Sequence, residues 1–198
     1  MIKDNKRMNK DLRLSIDDNS ELELINQSHA EELFDLIEEN REFLKRWLPW
    51  LDNNRYFQNT IDFIHITQMQ YERSETVQFA LLYRGKIAGV VGYHRIDWMN
   101  RYTSIGYWIG ESFQGKGLVT KACAKVLDYS FGNIGLHRIE IRCATENTRS
   151  RAIPERLGFK EEGLIRQAEW LYDHYVDHVV YGMLESEWMN SEKLVINT

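Results

Sequence analysis

Tyr107-Trp108-Ile109-Gly110-Glu111-Ser112-Phe113-Gln114-Gly115-Lys116-Gly117-Leu118-Val119-Thr120 is the stretch on which the fold turns. It leaves a strand-like run (Thr103 to Ile109), crosses two glycines, and enters a segment of helical period with Leu118, Ala122, Val126, Leu127 and Phe131 apolar. Glycines at a strand-to-helix turn let main-chain N–H groups converge on one small space. The helix that follows adds its own unpaired N–H groups and the positive end of its dipole, which together suit phosphate oxygens. Thr120 offers a hydroxyl, and Lys116 and Lys121 offer charge. An ordinary glycine-rich turn is the plainer alternative; the helix start directly after Gly117 favours an anion cradle.

Two nucleotide-binding classes use similar turns and fit poorly. Gly110 to Lys116 matches the first seven positions of a Walker A loop, but the eighth, which should carry a magnesium-binding hydroxyl, is Gly117. A dinucleotide fingerprint would need glycine at position 120, where the chain has threonine.

Outward from the cradle, the order of elements reads as mixed α+β. Leu12, Leu14 and Ile16, then Leu22 and Leu24, alternate with polar residues as two strands joined through Asp17-Asp18-Asn19-Ser20. Ser28 with Glu31 forms a capping-box pattern before a helix that carries Leu33, Phe34, Leu36 and Ile37. A second helix is expected from about Thr60 to Glu72, with Ile61, Ile64 and Met69 inward. The segment Phe43 to Leu51 between them is rich in aromatics and lacks a clean period. Val77–Tyr83, Ile87–His94 and Thr103–Ile109 read as three strands, with turns at Arg84-Gly85-Lys86 and Asp97-Trp98-Met99-Asn100. After the Gly117–Phe131 helix come a strand (His137–Ala144), a short helix (Thr148–Leu157) ended by Gly158, and strands near Phe159–Trp170 and Val176–Leu184. No repeat or linker divides the 198 residues, which suit one domain with a core over about 12–185, a charged N-terminal tail and a polar C-terminal tail.

The net charge of −5 disfavours a non-specific nucleic-acid binder and sits more easily with a cationic substrate. Cys123 and Cys143 lack CxxC spacing and read as reduced core thiols. The charged start lacks the apolar core of a signal peptide, and the longest apolar runs are strand-sized, so a cytoplasmic protein without membrane attachment is expected. His174 and His178, with Asp173 and Asp177 beside them, are a weak metal pattern; no metal is expected.

With these features in hand, the sequence resembles the GNAT superfamily of N-acetyltransferases, in its RimJ/RimL branch, whose members acetylate protein N-termini, including those of ribosomal proteins. The family signature [Q/R]-x-x-G-x-[G/A] is matched by Gln114-Gly115-Lys116-Gly117-Leu118-Val119, with valine at the last position. Tyr107-Trp108-Ile109 resembles the branch's segment before it, and Asn147-Thr148-Arg149-Ser150 with Leu157-Gly158-Phe159 resembles the N-x-x-S…LGF block. The resemblance runs from about Leu12 to Leu184. It implies a GNAT fold, a central twisted, mainly antiparallel sheet flanked by helices, with acetyl-CoA as cosubstrate, a primary amine as acceptor and a homodimer as the common assembly.

The same resemblance implies roles. Gln114, Gly115, Lys116, Gly117, Leu118, Val119 and Thr120 would hold the pyrophosphate of CoA. Trp108 and Ile109 would pair with its pantetheine arm, with a bulge near Trp108–Gly110 freeing one N–H for the thioester carbonyl. Asn147 and Ser150 would contact CoA, and Ser150 would return a proton to the leaving thiolate; plain helix capping is the alternative. Glu169 would act as general base, against the alternative of a solvated charge on a strand. Tyr93, His94, Trp98, Tyr102 and the Phe43–Leu51 segment either line the acceptor groove or simply pack. The acceptor is expected to be a protein N-terminal α-amine; an aminoglycoside or polyamine, or CoA binding without catalysis, are the other two functions the chain is compatible with.

Overall fold

The computed structural model describes residues 11–190. The charged start up to Lys10 and the polar end beyond 190 lie outside the described residues. Among the described residues eight strands form one sheet: β1 (Arg13–Asp17), β2 (Ser20–Leu24), β3 (Gln78–Tyr83), β4 (Lys86–Tyr93), β5 (Tyr102–Ile109), β6 (Arg138–Ala144), β7 (Lys160–Leu171) and β8 (His174–Leu184). Their spatial order is β1-β2-β3-β4-β5-β6-β8-β7. All neighbours are antiparallel except β5 and β6, which run parallel and pair only from Tyr102–Arg138 to Ser104–Glu140. Beyond Ser104 the two strands part, and the sheet opens into a V.

Two layers of helix cover the sheet. On one face α1 (Ala30–Glu39) and α3 (Phe57–Glu72) bury Leu33, Leu36, Ile37 and Ile64 against Ala80, Ile87 and Val90. On the other, α4 (Leu118–Tyr129) and α5 (Thr148–Arg156) pack Ala122, Val126, Leu127 and Ile153 over Val91, Ile105, Ile139 and Ile141. Strand alternation splits β5 and β6 between the layers: Ile105, Tyr107, Ile141 and Cys143 join the second, and Trp108 joins the first. A short α2 (Arg41–Lys45) starts the aromatic segment, and α6 (Glu185–Asn190) packs Trp188 into the second core. Among the described residues, no helix is long and apolar enough to cross a membrane.

Two local expectations need correction. The side-chain cap in this segment is Asn26, not Ser28, and it caps the turn ahead of α1, which itself starts after His29 without a side-chain cap. A 3-10 turn (Gln27–His29) precedes the α-helix, and the Asn26 carboxamide oxygen accepts from Ser28 N–H (2.9 Å) and Ser28 Oγ (2.6 Å). His29, not Glu31, closes the capping box by accepting the Asn26 N–H at 3.2 Å. Asn26→Ala is therefore expected to lower unfolding free energy by about 1 kcal/mol, and Ser28→Ala by less, measured from denaturant midpoints. A larger loss from Ser28→Ala would return the cap to Ser28. In α3 the inward face is Thr60, Ile64, Thr67 and Tyr71, while Met69 is 39% exposed. Met69 lies five residues beyond Ile64, about 140° around the helix. Thr67 tolerates burial because its hydroxyl donates to the Ile64 carbonyl at 2.9 Å.

Candidate active site

The glycines of the cradle adopt the backbone their position requires. Gly115 (φ +75°) and Gly117 (φ +71°) are left-handed, and Gly117 starts α4 without a side-chain cap. Gln114 N–H donates to Glu111 O at 3.1 Å, and the next such bond in the chain is Lys121 N–H to Gly117 O at 3.0 Å. The N–H groups of the helix's first turn lie between them and have no intrahelical acceptor. Residues 115–117 are exposed, while Leu118 and Val119 anchor the turn in the core. Valine at 119 therefore spends its branch on packing and leaves its main chain at the cradle.

Neighbouring elements fix the cradle in place. Asn40, at the end of α1, donates to Leu36 O (2.8 Å) and accepts Glu111 N–H (2.8 Å). Arg149 of α5 donates to the Gln114 side chain, which joins the cradle to the Asn147–Ser150 turn. Lys116 Nζ donates to Ser112 O at 2.7 Å. Lys121 is paired with Asp17 at 3.1 Å, so its charge is already shared. The Asp17 carboxyl is pushed down to about 2, first by the Ser20 hydroxyl and then by Lys121.

The open V supplies a second element. Ser104 O accepts from His94 N–H (2.9 Å) and Gly110 N–H donates to Ala88 O (2.9 Å). By antiparallel alternation the main chain of Gly106 and Trp108 also faces β4, and that of Ile105, Tyr107 and Ile109 faces the parted β6. The expected bulge at Trp108–Gly110 is not there: β4–β5 pairing is continuous, and the irregularity lies at Ala88, between β3 and β4. Free main-chain groups arise because the strands separate. They belong to Tyr107 and Ile109; Trp108 instead sets its ring 6.2 Å from that of Trp50 on the opposite face.

Asn147 caps α5, accepting Ser150 N–H at 3.1 Å. Ser150 Oγ lies 3.1 Å from Cys143 Sγ and 3.3 Å from Tyr107 Oη, and the Tyr107 hydroxyl donates to Ser150 O at 3.0 Å. Tyr107 thus bridges the V from β5 to α5. Burial, then the nearby thiols, push its phenol well above the usual tyrosine range, so it stays protonated. Burial likewise raises the Cys143 thiol. In the sequence Tyr107 stands out only as part of the motif flanking the cradle; the signal for its place in the site is its alternation with Ile105 toward the helix face.

Glu169 sits on the opposite face of the sheet from Ser150, with Oε2 3.5 Å from His178 Nε2. His94 bonds Ser104 Oγ (2.9 Å), and any side chain at Gly106 would meet its ring at 3.0 Å. Burial lowers the basicity of His94, with Ser104, Arg142 and Glu169 contributing further in opposing senses. Tyr172, at the β7–β8 turn, donates to Leu48 O and lies under Lys45 at 4.5 Å. That contact brings the aromatic segment against the hairpin. Tyr93 is core, fully buried with its hydroxyl 2.6 Å from Ser130 Oγ, and Trp98 donates to Ser74 O away from the V. Tyr102 bonds Glu140 on β6. His174 pairs with Asp173, and among the described residues no group of three or more His, Cys, Asp or Glu is placed to hold a metal.

A sheet split between two strands, with an N–H cradle at the following helix, defines an acyl-CoA-type transferase fold, and the chain belongs to the acetyltransferase (GNAT) domain family, whose model matches residues 21–160. It is an acetyltransferase of that family. A Bacillus subtilis (strain 168) relative, "Putative ribosomal N-acetyltransferase YdaF", is 37% identical over 84% of this chain and 92% of its own length. The structure of RimL, a ribosomal L7/L12 alpha-N-protein acetyltransferase, in complex with coenzyme A superposes with a TM-score of 0.86 at 25% identity, over 89% of this chain and 99% of that one. The microcin C7 self-immunity acetyltransferase MccE, in complex with acetyl-CoA and AMP, matches with a TM-score of 0.83 at 30% identity, over 91% and 99%.

Proposed function

We propose that the protein moves the acetyl group of acetyl-CoA to a protein N-terminal α-amine, that of a ribosomal protein, by direct attack in a ternary complex. The observation that carries this is the free edge of β5: it lies between an anion cradle on one face and a carboxylate–imidazole pair on the other. CoA's pyrophosphate fits the N–H groups of residues 115–120, and its pantetheine arm fits the unpaired main chain of Tyr107 and Ile109. A main-chain N–H on that edge polarises the thioester carbonyl. Glu169 takes the amine proton from the acceptor side, and Ser150 hands a proton to the thiolate, with its hydroxyl held between Tyr107 and Cys143. The wall made by Trp50, Trp108 and the Leu48–Tyr172 contact shapes the acceptor groove. RimL and the Bacillus relative support a ribosomal N-terminus as acceptor. The same reading includes a homodimer in the cytoplasm, and light scattering checks the assembly.

An acceptor panel with acetyl-CoA tests the assignment. It contains peptides with the N-termini of ribosomal proteins, the same peptides N-terminally blocked, spermidine and kanamycin. Turnover is expected on free N-terminal peptides and is lost on blocking. Preference for spermidine or kanamycin would replace the protein acceptor with a small amine. CoA binding without turnover on any acceptor would leave a binding module. On the best acceptor, Ser150→Ala is expected to lower kcat about tenfold with little change in the acetyl-CoA KM; an equal loss in both would reduce Ser150 to a CoA contact.

A further inference from the structure

The strand that carries Glu169 is not regular. Between the pairs Ile165–His178 and Glu169–Val176, β7 places three residues, Arg166, Gln167 and Ala168, against the single residue Asp177 of β8. In an unbroken register Gln167 would face Val176, and Glu169 would lie opposite His174. The bulge draws Glu169 back along the strand by two residues, about 7 Å. It then reaches diagonally to His178, the residue paired with Ala144 at the end of β6.

One side chain holds this bulge. Asp177 Oδ1 accepts the Gln167 N–H at 2.7 Å, and Gln167 has φ +49°, a left-handed conformation that a side chain such as glutamine rarely adopts unaided. The main chain of the same residue faces the donor side: Asp177 O accepts Thr145 N–H at 3.0 Å, where β6 turns into the Asn147 cap of α5. One residue thus ties the bulge that places the carboxylate to the turn that places Ser150.

We infer that Asp177 is a positioning residue for catalysis: its carboxylate pins the Arg166–Ala168 bulge and so sets Glu169 against His178 at the acceptor side of the V. The inference rests on Glu169 being the base. Asp177 does not touch the reacting atoms. Its effect runs through the Gln167 amide, and a glycine at 167 would hold the left-handed backbone without that bond.

Steady-state kinetics on the best acceptor of the panel, with melting curves for every variant, tests it. Asp177→Ala is expected to lower kcat at least tenfold with the acetyl-CoA KM within about twofold. Asp177→Asn, which keeps an acceptor oxygen, recovers most of that loss. Gln167→Gly placed in the Asp177→Ala background also recovers part of it. Glu169→Gln combined with Asp177→Ala is no slower than Glu169→Gln alone, because the two act on one function. Asp177→Ser, too short to reach the amide, repeats the comparison should the alanine variant melt early. If Glu169→Gln is impaired while Asp177→Ala and Asp177→Ser turn over at the parent rate, Asp177 has no positioning role and the base assignment stands. A normal Glu169→Gln removes the base and this inference with it. Equal losses in kcat and CoA affinity, unrelieved by glycine at 167, would show a general disruption and overturn the inference.

Discussion

Glu169→Gln is expected to lower kcat by about 100-fold or more at pH 7, with the acetyl-CoA KM nearly unchanged. The substitution keeps the size and much of the hydrogen bonding of the side chain and removes its ability to take a proton. An α-amine has an ordinary pKa near 8, so about nine-tenths of it is protonated at pH 7 and cannot attack. The sign of the pH dependence follows. As pH rises through the pKa of the amine, the acceptor deprotonates without help, so the deficit of the variant narrows between about pH 7 and 9. A pH–rate series on the parent and the variant measures this. A variant within threefold of the parent at pH 7, or a deficit that stays constant across the range, would remove the base role from Glu169.

Gly117→Val should act on the other half of the site and raise the acetyl-CoA KM by about 100-fold, with a smaller change in kcat. Gly117 sits at φ +71°, which costs a side-chain-bearing residue about 1–2 kcal/mol and a β-branched one more. The chain relieves this by moving the first turn of α4, and the N–H groups lose their common aim. Gly132→Ala is the control: it lies in the π-helical segment after α4 with open space around the added carbon, and its φ is not left-handed. Calorimetric titration with CoA reads the effect without an acceptor. Unchanged CoA affinity in Gly117→Val would move the phosphates away from the cradle.

The sequence carried the elements better than it carried their contacts. Strand alternation in Leu12–Ile16, Val77–Ile109 and Ile139–Cys143, and the helical period after Gly117, are local patterns; each appears in the structure within a few residues of its expected limits. The cradle was legible for the same reason, since left-handed glycines and a helix start need no distant partner. The misplaced features depend on distant partners or on an unseen register. Asn26 became the cap because a 3-10 turn precedes α1, and the free edge of β5 comes from the parting of β6 rather than from a bulge in β5. Tyr107 gains its place from Cys143 and Ser150, which lie 36 and 43 residues away. The Arg166–Ala168 bulge depends on Asp177 across the hairpin, and Gln167 gives no local sign of its left-handed backbone.

β7 is also the last strand of the sheet, twelve residues long and exposed along most of its length. An outer strand of that length with unpaired amides and carbonyls invites edge-to-edge association with a second molecule. Here two irregularities interrupt it, one at Glu162–Gly163 and one at Arg166–Ala168, so no stretch between them presents a straight hydrogen-bonding edge longer than a few residues. Lys160, Glu161, Glu162 and Arg166 add charge to the same strand. Regularising the second kink would therefore cost the protein twice: the carboxylate would leave its histidine, and the sheet would gain a straight border on which further copies stack into aggregates.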